Sequence, residues 1–230
     1  MLLLSFETSA KAGSVALTDG SRLLGESYQN TGMTHSQTLM VMAEDLLRQC
    51  GHTAADVTDV AVAAGPGSFT GVRIGVAAAK GLAWGKELPC WGVSTLEAMA
   101  LSLGVFEGYV VCAMDARRSQ VYNAIFEAKN GELTRICEDR AISLADLEEE
   151  LASLSGPKYA VGDGAELCCR TLPGLILPPE HKRHQRAVGV ALAALRKMAA
   201  GETADAAALT PNYLRLSQAE RERLEKENKK

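Results

Sequence analysis

The sequence predicts an α/β fold built from two related halves, and three observations support this. Short apolar runs that end in polar or glycine-rich loops alternate with longer helical patterns. In each half an apolar strand ends at an acidic residue, a polar loop follows and a second strand leads back, and the second copy begins near residue 106. The 230 residues, 47% apolar and 23% charged, are enough for one or two modest domains with a substantial core.

The first half opens with a predicted β-hairpin followed by a third strand. The three strands are Leu2–Phe6, Gly13–Thr18 and Arg22–Tyr28. The polar stretch that begins at Glu7 forms the first loop, and the Asp19-Gly20-Ser21 turn precedes the third strand.

A methionine-rich helix follows these strands. Thr34 is its predicted N-cap, and Gln37 is the predicted capping-box partner. The apolar face of the helix is unusually wide and contains Leu39, Met40, Met42, Ala43, Leu46, Leu47 and Cys50. Such a face indicates either a purely internal role or contact with more than one neighbour.

A glycine-rich segment, Gly65 to Gly75, joins the predicted strand Val60–Ala64 to a long apolar helix. Pro66 fixes its own φ, the glycines permit backbone angles closed to other residues, and Ser68 or Thr70 is the predicted helix cap. A loop of this kind either receives an anion on free N–H groups or lets the strand and the helix approach closely. The sequence leaves both interpretations open.

Small residues follow one face of this second helix. Gly71, Gly75, Ala78 and Leu82 recur at helical intervals. Because glycine inside a helix costs about 0.5–1 kcal/mol relative to alanine, a closely packed second helix is expected as compensation. The packed helix belongs either to this chain or to a partner.

The remaining elements continue the alternation of strands and helices. Further strands are predicted at Leu88–Val93, Tyr109–Met114, Val121–Phe126 and Lys158–Val161. Ser94-Thr95 is the predicted cap of a helix that runs to Leu103 and is ended by Gly104, Ser143 caps a helix through Leu151, and a third helix runs from Gln185 to Ala200. The charged tail from Ser217 is predicted to be a solvated helix.

Composition and charge exclude several classes of protein. A net charge of −4 and a pI near 5.7 give no general basic field, so a stand-alone nucleic-acid-binding protein is not expected. No stretch approaches 18 apolar residues, and the first residues lack a basic signal-peptide region, so we expect a cytoplasmic protein without a membrane partner. The six cysteines show no zinc-type spacing and are expected to be reduced.

Several motifs taken together resemble the TsaB (YeaZ) family. They are Phe6-Glu7-Thr8-Ser9, Gly13-Ser14-Val15-Ala16-Leu17, Thr34-His35-Ser36-Gln37, the segment Ala64 to Gly75, Gly92-Val93-Ser94-Thr95-Leu96 and Met114-Asp115-Ala116-Arg117. Beyond residue 126 only Val161-Gly162-Asp163-Gly164 and Pro211-Asn212-Tyr213-Leu214-Arg215 match. The resemblance implies the actin, sugar-kinase and Hsp70-like (ASKHA) fold, with subdomains at residues 1–104 and 105–230 and mixed sheets. In this fold the last helix can cross back onto the first subdomain.

The resemblance implies a non-catalytic subunit. Its relative TsaD transfers a threonylcarbamoyl group to N6 of adenosine 37 in tRNAs that read codons beginning with A, and this chain is implied to bind and activate TsaD. TsaE is an implied further partner, tRNA is an indirect or weak one, and a homodimer is expected when TsaD is absent. No cofactor of its own is expected, and ATP or ADP is considered only at the subunit junction.

The resemblance also predicts that a metal centre is missing. The catalytic relatives carry two histidines four residues apart, and the matching positions here hold Thr95 and Met99. Neither a hydroxyl nor a thioether replaces imidazole at such a site, so no Lewis acid is expected.

Two sets of residues are predicted to matter for function. The partner surface combines the two helices of the first half and comprises Met40, Leu47, Gly71, Ile74, Gly75, Ala78 and Leu82. The residues that would lie near a nucleotide are Glu7, Thr8, Ser9, Asp115, Arg117 and Arg118, with structural ion pairing as the alternative role. The competing functions are an ASKHA-fold small-molecule kinase, a peptidase-like enzyme and an orphan nucleotide-binding module, although no nucleophile and base motif supports an enzyme.

Overall fold

The computed structural model describes residues 1–105, 107–117 and 119–215, which form two mixed sheets flanked by helices. The first sheet has the strand order β3-β2-β1-β4-β5. Its strands are β1 (Leu2–Glu7), β2 (Gly13–Asp19), β3 (Arg22–Gln29), β4 (Asp59–Gly65) and β5 (Cys90–Ser94). Strands β1, β2 and β3 are antiparallel neighbours, whereas β4 runs parallel to both β1 and β5. The predicted hairpin and third strand are confirmed.

The second sheet repeats this arrangement. Its strands are β6 (Gly108–Asp115), β7 (Gln120–Lys129), β8 (Glu132–Arg135), β9 (Arg140–Ser143), β10 (Lys158–Val161) and β11 (Leu175–Ile176). Read from β8, the order β8-β7-β6-β10-β11 again places three antiparallel strands beside two parallel ones, and β9 pairs with β7 outside this order. The predicted α/β class and the duplication are therefore confirmed.

Seven helices are present in the described residues: α1 (His35–Gln49), α2 (Phe69–Trp84), α3 (Thr95–Leu103), α4 (Leu144–Ala152), α5 (Ala165–Thr171), α6 (Glu180–Arg183) and α7 (Ala187–Ala199). Serine side chains cap α2, α3 and α4 as the sequence predicts; they belong to Ser68, Ser94 and Ser143. The capping-box prediction for α1 is wrong, because the N–H of Gln37 donates to the carbonyl oxygen of Thr34 (2.9 Å) and the Thr34 side chain makes no cap hydrogen bond. The predicted helix after Ser217 lies outside the described residues.

The helices cover the two faces of the first sheet differently. Helices α1 and α2 pack on one face, and α3 and α7 pack on the other. Although α7 follows the second sheet in sequence, Ala187 N donates to Ser14 Oγ (2.8 Å) and Val188 N to Glu26 Oε1 (3.2 Å), so α7 begins against β2 and β3. Among the described residues, no helix combines the length and apolar character needed to cross a membrane.

Candidate functional site

The glycine-rich loop is held between two other segments of the chain. Ser68 N donates to Ser9 O (2.6 Å), and Ser68 Oγ accepts from Gly71 N (3.3 Å), which settles Ser68 as the cap of α2. Gly65 has a φ of +121°, and a Cβ there would collide with the backbone of Asn212. The glycine at position 65 therefore makes room for the backbone of residue 212, a third segment of the chain, rather than for the strand and the helix that the loop joins.

The prediction that Gly71 and Gly75 belong to the partner surface is wrong, because their face of α2 packs inward. A Cβ at Gly71 would collide with the carbonyl oxygen of Thr8, and one at Gly75 would collide with Thr8 Oγ1 and lie 3.2 Å from Val62 Cγ2. Thr8 Oγ1 also donates to Gly71 O (2.8 Å). The compensating neighbour of the helical glycines is thus the end of β1, within this chain, rather than a helix.

A second set of side chains on α1 and α2 is open to solvent. Met40 and Val41 on α1 are 48% and 58% exposed, and Trp84 at the end of α2 is 72% exposed. Between the helices lies an apolar groove of about 590 Å³, whose lining includes Met40, Leu47 and Leu82. Leu47 is buried at this groove, whereas Ile74, Ala78 and Leu82 are half-buried. We call this combination of exposed apolar residues and groove the α1–α2 face.

A cleft of about 690 Å³ is lined by residues from loops of both sheets and by residues 212–215. The predicted residues Ser9, Asp115 and Arg117 line it, together with the glycine-rich loop and Asp163. Asp115 lies at the end of β6, and its Oδ1 accepts from the backbone N–H of Arg117 (2.7 Å). Arg118 lies outside the described residues.

Glu7 and Thr8 do not reach the cleft, so the prediction that they approach a nucleotide is wrong. Both are fully buried, and Thr8 is engaged with α2. Glu7 Oε1 accepts from Ser9 N (2.6 Å), while Glu7 Oε2 has no hydrogen-bond partner among the described residues. Glu7 also forms no ion pair with any of the described residues. This argues against structural ion pairing, the alternative role predicted for Glu7.

Burial dominates the electrostatics of this region. Desolvation and, to a smaller extent, the nearby Asp163 raise the pKa of Glu7 from 4.5 to about 7, against the opposing hydrogen bonds from Ser9. Asp163 lines the cleft. Burial raises the pKa of the Asp163 carboxyl, and the hydrogen bond that Gln185 Nε2 donates to Asp163 Oδ1 (2.9 Å) opposes this rise. A carboxyl that holds its proton near neutral pH is a poor ligand for magnesium. The Glu7 side chain in this environment is therefore poorly suited to hold a magnesium ion.

The positions that match the metal ligands of catalytic relatives are packed into the core. Thr95 begins α3 and is fully buried, and Met99 lies one turn later and is also buried. Within the described part of the chain, no group of three or more His, Cys, Asp and Glu side chains is arranged to hold a metal ion.

Comparison with known proteins places the chain in a family. A relative from Bacillus subtilis, tRNA threonylcarbamoyladenosine biosynthesis protein TsaB, is 33% identical over 225 residues, 96% of each chain. The chain belongs to the TsaB (YeaZ) family. A family model described as TsaD, tRNA N6-adenosine threonylcarbamoyltransferase, matches residues 29–223, so TsaB and this transferase are themselves similar.

Solved structures agree with this assignment. YeaZ from Pseudomonas aeruginosa superposes with a TM-score of 0.78 at 28% identity, covering 93% of this chain and 99% of that one. The ethanolamine utilization protein EutJ from Carboxydothermus hydrogenoformans superposes with a TM-score of 0.50 at 14% identity. The match covers 84% of this chain and 90% of the EutJ chain, and it shows a shared fold alone. The chain thus has the ASKHA fold that the resemblance implied.

Proposed function

We propose that this chain is a non-catalytic subunit that binds TsaD through the α1–α2 face and is required for transfer of the threonylcarbamoyl group to tRNA. The observation that carries the proposal is the combination of exposed apolar side chains with an apolar groove on two adjacent helices. Contiguous apolar surface of this kind is typical of protein–protein contacts. The name of the Bacillus subtilis relative supports the pathway, namely tRNA threonylcarbamoyladenosine biosynthesis.

The similarity between this chain and the transferase family model supports the choice of partner. If TsaD presents equivalent helices, two helices from each subunit pack as a four-helix bundle. The same face then also pairs with a second copy of this chain, and the homodimer competes with the heterodimer because both cover the same apolar surface. TsaE and tRNA join the complex in this proposal without using the α1–α2 face, and ATP or ADP binds, if at all, at the subunit junction.

The primary test is threonylcarbamoyladenosine formation on tRNA by TsaD, TsaE and the enzyme that forms the carbamoyl-AMP donor, with and without this chain. We expect product only when the chain is present and none from the chain alone. Equal product without it would overturn the proposal. Turnover of ATP by the isolated chain would instead support the kinase alternative.

Single-residue variants test whether the α1–α2 face is the surface that binds TsaD. Ala78 is half-buried on α2, one helical turn before Leu82, which lines the groove. Ala78→Asp places a carboxylate at this position, and an unpaired charge buried at an interface costs several kcal/mol, which corresponds to a loss of affinity of about 100-fold or more. Ala145→Asp is the matched control, because Ala145 is exposed on α4 of the second subdomain. Co-purification with TsaD should fail for the first variant and persist for the second. Retention of TsaD by a folded Ala78→Asp protein would show that another surface binds it.

A further inference from the structure

The segment that follows α7 runs back along the first subdomain. Lys80 Nζ, on α2, donates to the carbonyl oxygens of Ala207 (3.2 Å) and Leu209 (2.9 Å). The Leu209 side chain occupies the space that a Cβ at Gly92 would need, so it sits directly on β5. These contacts anchor the segment beside α2 before it reaches the cleft.

At the cleft the segment docks onto the glycine-rich loop. Asn212 N donates to the carbonyl oxygen of Ala64, near the end of β4 (2.6 Å). The ring of Tyr213 stacks on Phe69 with centroids 4.9 Å apart, and its hydroxyl accepts from Arg73 Nε (2.6 Å). The Arg73 guanidinium also lies 3.8 Å above the centre of the Phe69 ring. The segment is therefore held by the backbone of β4 and by side chains at the start of α2.

The next contact belongs to the other subdomain. Arg215 Nη1 donates to the carbonyl oxygen of Ala116 (2.5 Å), which follows β6 in the second sheet. Between Asn212 and Arg215 the chain thus passes from a hydrogen bond with β4 of the first sheet to a hydrogen bond with the loop that follows β6 of the second sheet. Both residues line the cleft.

We propose that residues 207–215 form an internal strap that crosses the mouth of the cleft and holds the two subdomains in one relative orientation. Three features fit this role: anchors on both sides of the cleft, a stacked aromatic pair at the crossing point, and glycines at 65 and 92 that leave room for the segment. The distance between the two sides of the cleft is then set by the chain itself rather than by a bound ligand. This inference does not depend on the identity of the partner protein.

The test compares two double variants of the full chain. Tyr213→Ala/Arg215→Met removes the stacked ring and the donor to Ala116 O, whereas Tyr213→Phe/Arg215→Lys keeps an aromatic ring and a cation at the same positions. Each protein is measured by amide hydrogen exchange and by small-angle X-ray scattering coupled to size-exclusion chromatography, so that species of the same oligomeric state are compared.

For Tyr213→Ala/Arg215→Met we expect exchange about tenfold faster or more in the strap and in residues 115–120, with both sheets still protected. We also expect a larger radius of gyration. The conservative pair should behave like the unmodified protein. An unchanged scattering profile, or faster exchange spread evenly through both sheets, would overturn the proposal. If Tyr213→Ala/Arg215→Met does not fold, Arg215→Met alone leaves the anchors on the first subdomain in place and is judged by the same outcomes.

Discussion

The buried carboxyl of Glu7 provides the sharpest test of the electrostatics at the end of β1. The folded chain raises the pKa of Glu7 to about 7, whereas an unfolded chain leaves it near 4.5. Below pH 4.5 the group is protonated in both states and has no effect on stability. As pH rises towards 7, the unfolded chain loses its proton first, so the free energy of unfolding falls.

The size of this effect follows from the change in pKa. A rise from 4.5 to about 7 corresponds to a destabilisation of about 3 kcal/mol once the carboxyl is ionised in both states. Integration over the accessible range gives a penalty of about 1 kcal/mol at pH 5 and about 3 kcal/mol at pH 8. Glu7→Gln removes this dependence while its amide oxygen still accepts from Ser9 N. Relative to the unmodified protein, the variant should therefore gain about 2 kcal/mol between pH 5 and pH 8.

The assay is urea-induced unfolding at constant ionic strength from pH 5 to pH 8, with the difference between variant and unmodified protein plotted against pH. Subtraction cancels titrations common to both proteins. Glu148→Gln, on the exposed face of α4, controls for the loss of one carboxyl from the chain. If the difference for Glu7→Gln stayed constant within about 0.5 kcal/mol, burial would not be raising the pKa of this carboxyl and the reasoning would fail.

Three further predictions concern packing. Gly75→Ala should lower the free energy of unfolding by about 1–3 kcal/mol, because the new methyl group collides with the Thr8 hydroxyl; a loss below 0.5 kcal/mol in urea unfolding would refute the close packing. Glu26→Ala should cost about 2 kcal/mol in the same assay, since it removes the partner of Arg186 and a hydrogen-bond acceptor at the start of α7; an unchanged urea midpoint would contradict this. Trp84→Ala should change stability by less than about 0.5 kcal/mol yet weaken homodimerisation in analytical ultracentrifugation, and a dimer of unchanged affinity would place Trp84 outside the interface.

Local signals were sufficient for much of the fold. A short run that ends at Gly162-Asp163-Gly164 predicted β10 with its observed bounds, and the serine caps of α2, α3 and α4 act through hydrogen bonds three residues away. Glycine at position 104, with a φ of +65°, ends α3 as predicted. Each of these features is decided within a few residues of the chain, where sequence patterns are informative.

The errors and omissions arise where distant segments meet. Strands β8 and β9 were missed because they are short, and their pairing depends on β7 rather than on their own apolar content. The small-residue face of α2 was assigned to a partner, since sequence spacing does not reveal that Thr8 lies beneath it. Trp84 was also overlooked, although its exposure at the end of α2 enlarges the α1–α2 face. The motif that contains Tyr213 was noticed, but its role depends on contacts with Phe69 and Arg73 some 140 residues earlier.

Helix α2 both packs on Thr8 within the chain and forms part of the α1–α2 face. Its two sides therefore call for different variants. Its inward face is fixed on Thr8 by the absence of side chains at Gly71 and Gly75, and its half-buried residue Ala78 lies one turn before Leu82, which lines the groove. A bulky residue at Gly71 would displace the helix, so loss of TsaD binding in such a variant would report a damaged subdomain rather than a lost contact. Ala78 is half-buried and packs against the apolar core beneath α1 and α2, so an Ala78→Asp protein is informative about binding only where its urea midpoint shows that it remains folded. The proposed interface is therefore tested by substitution at Ala78, and the glycines test the fold that positions it.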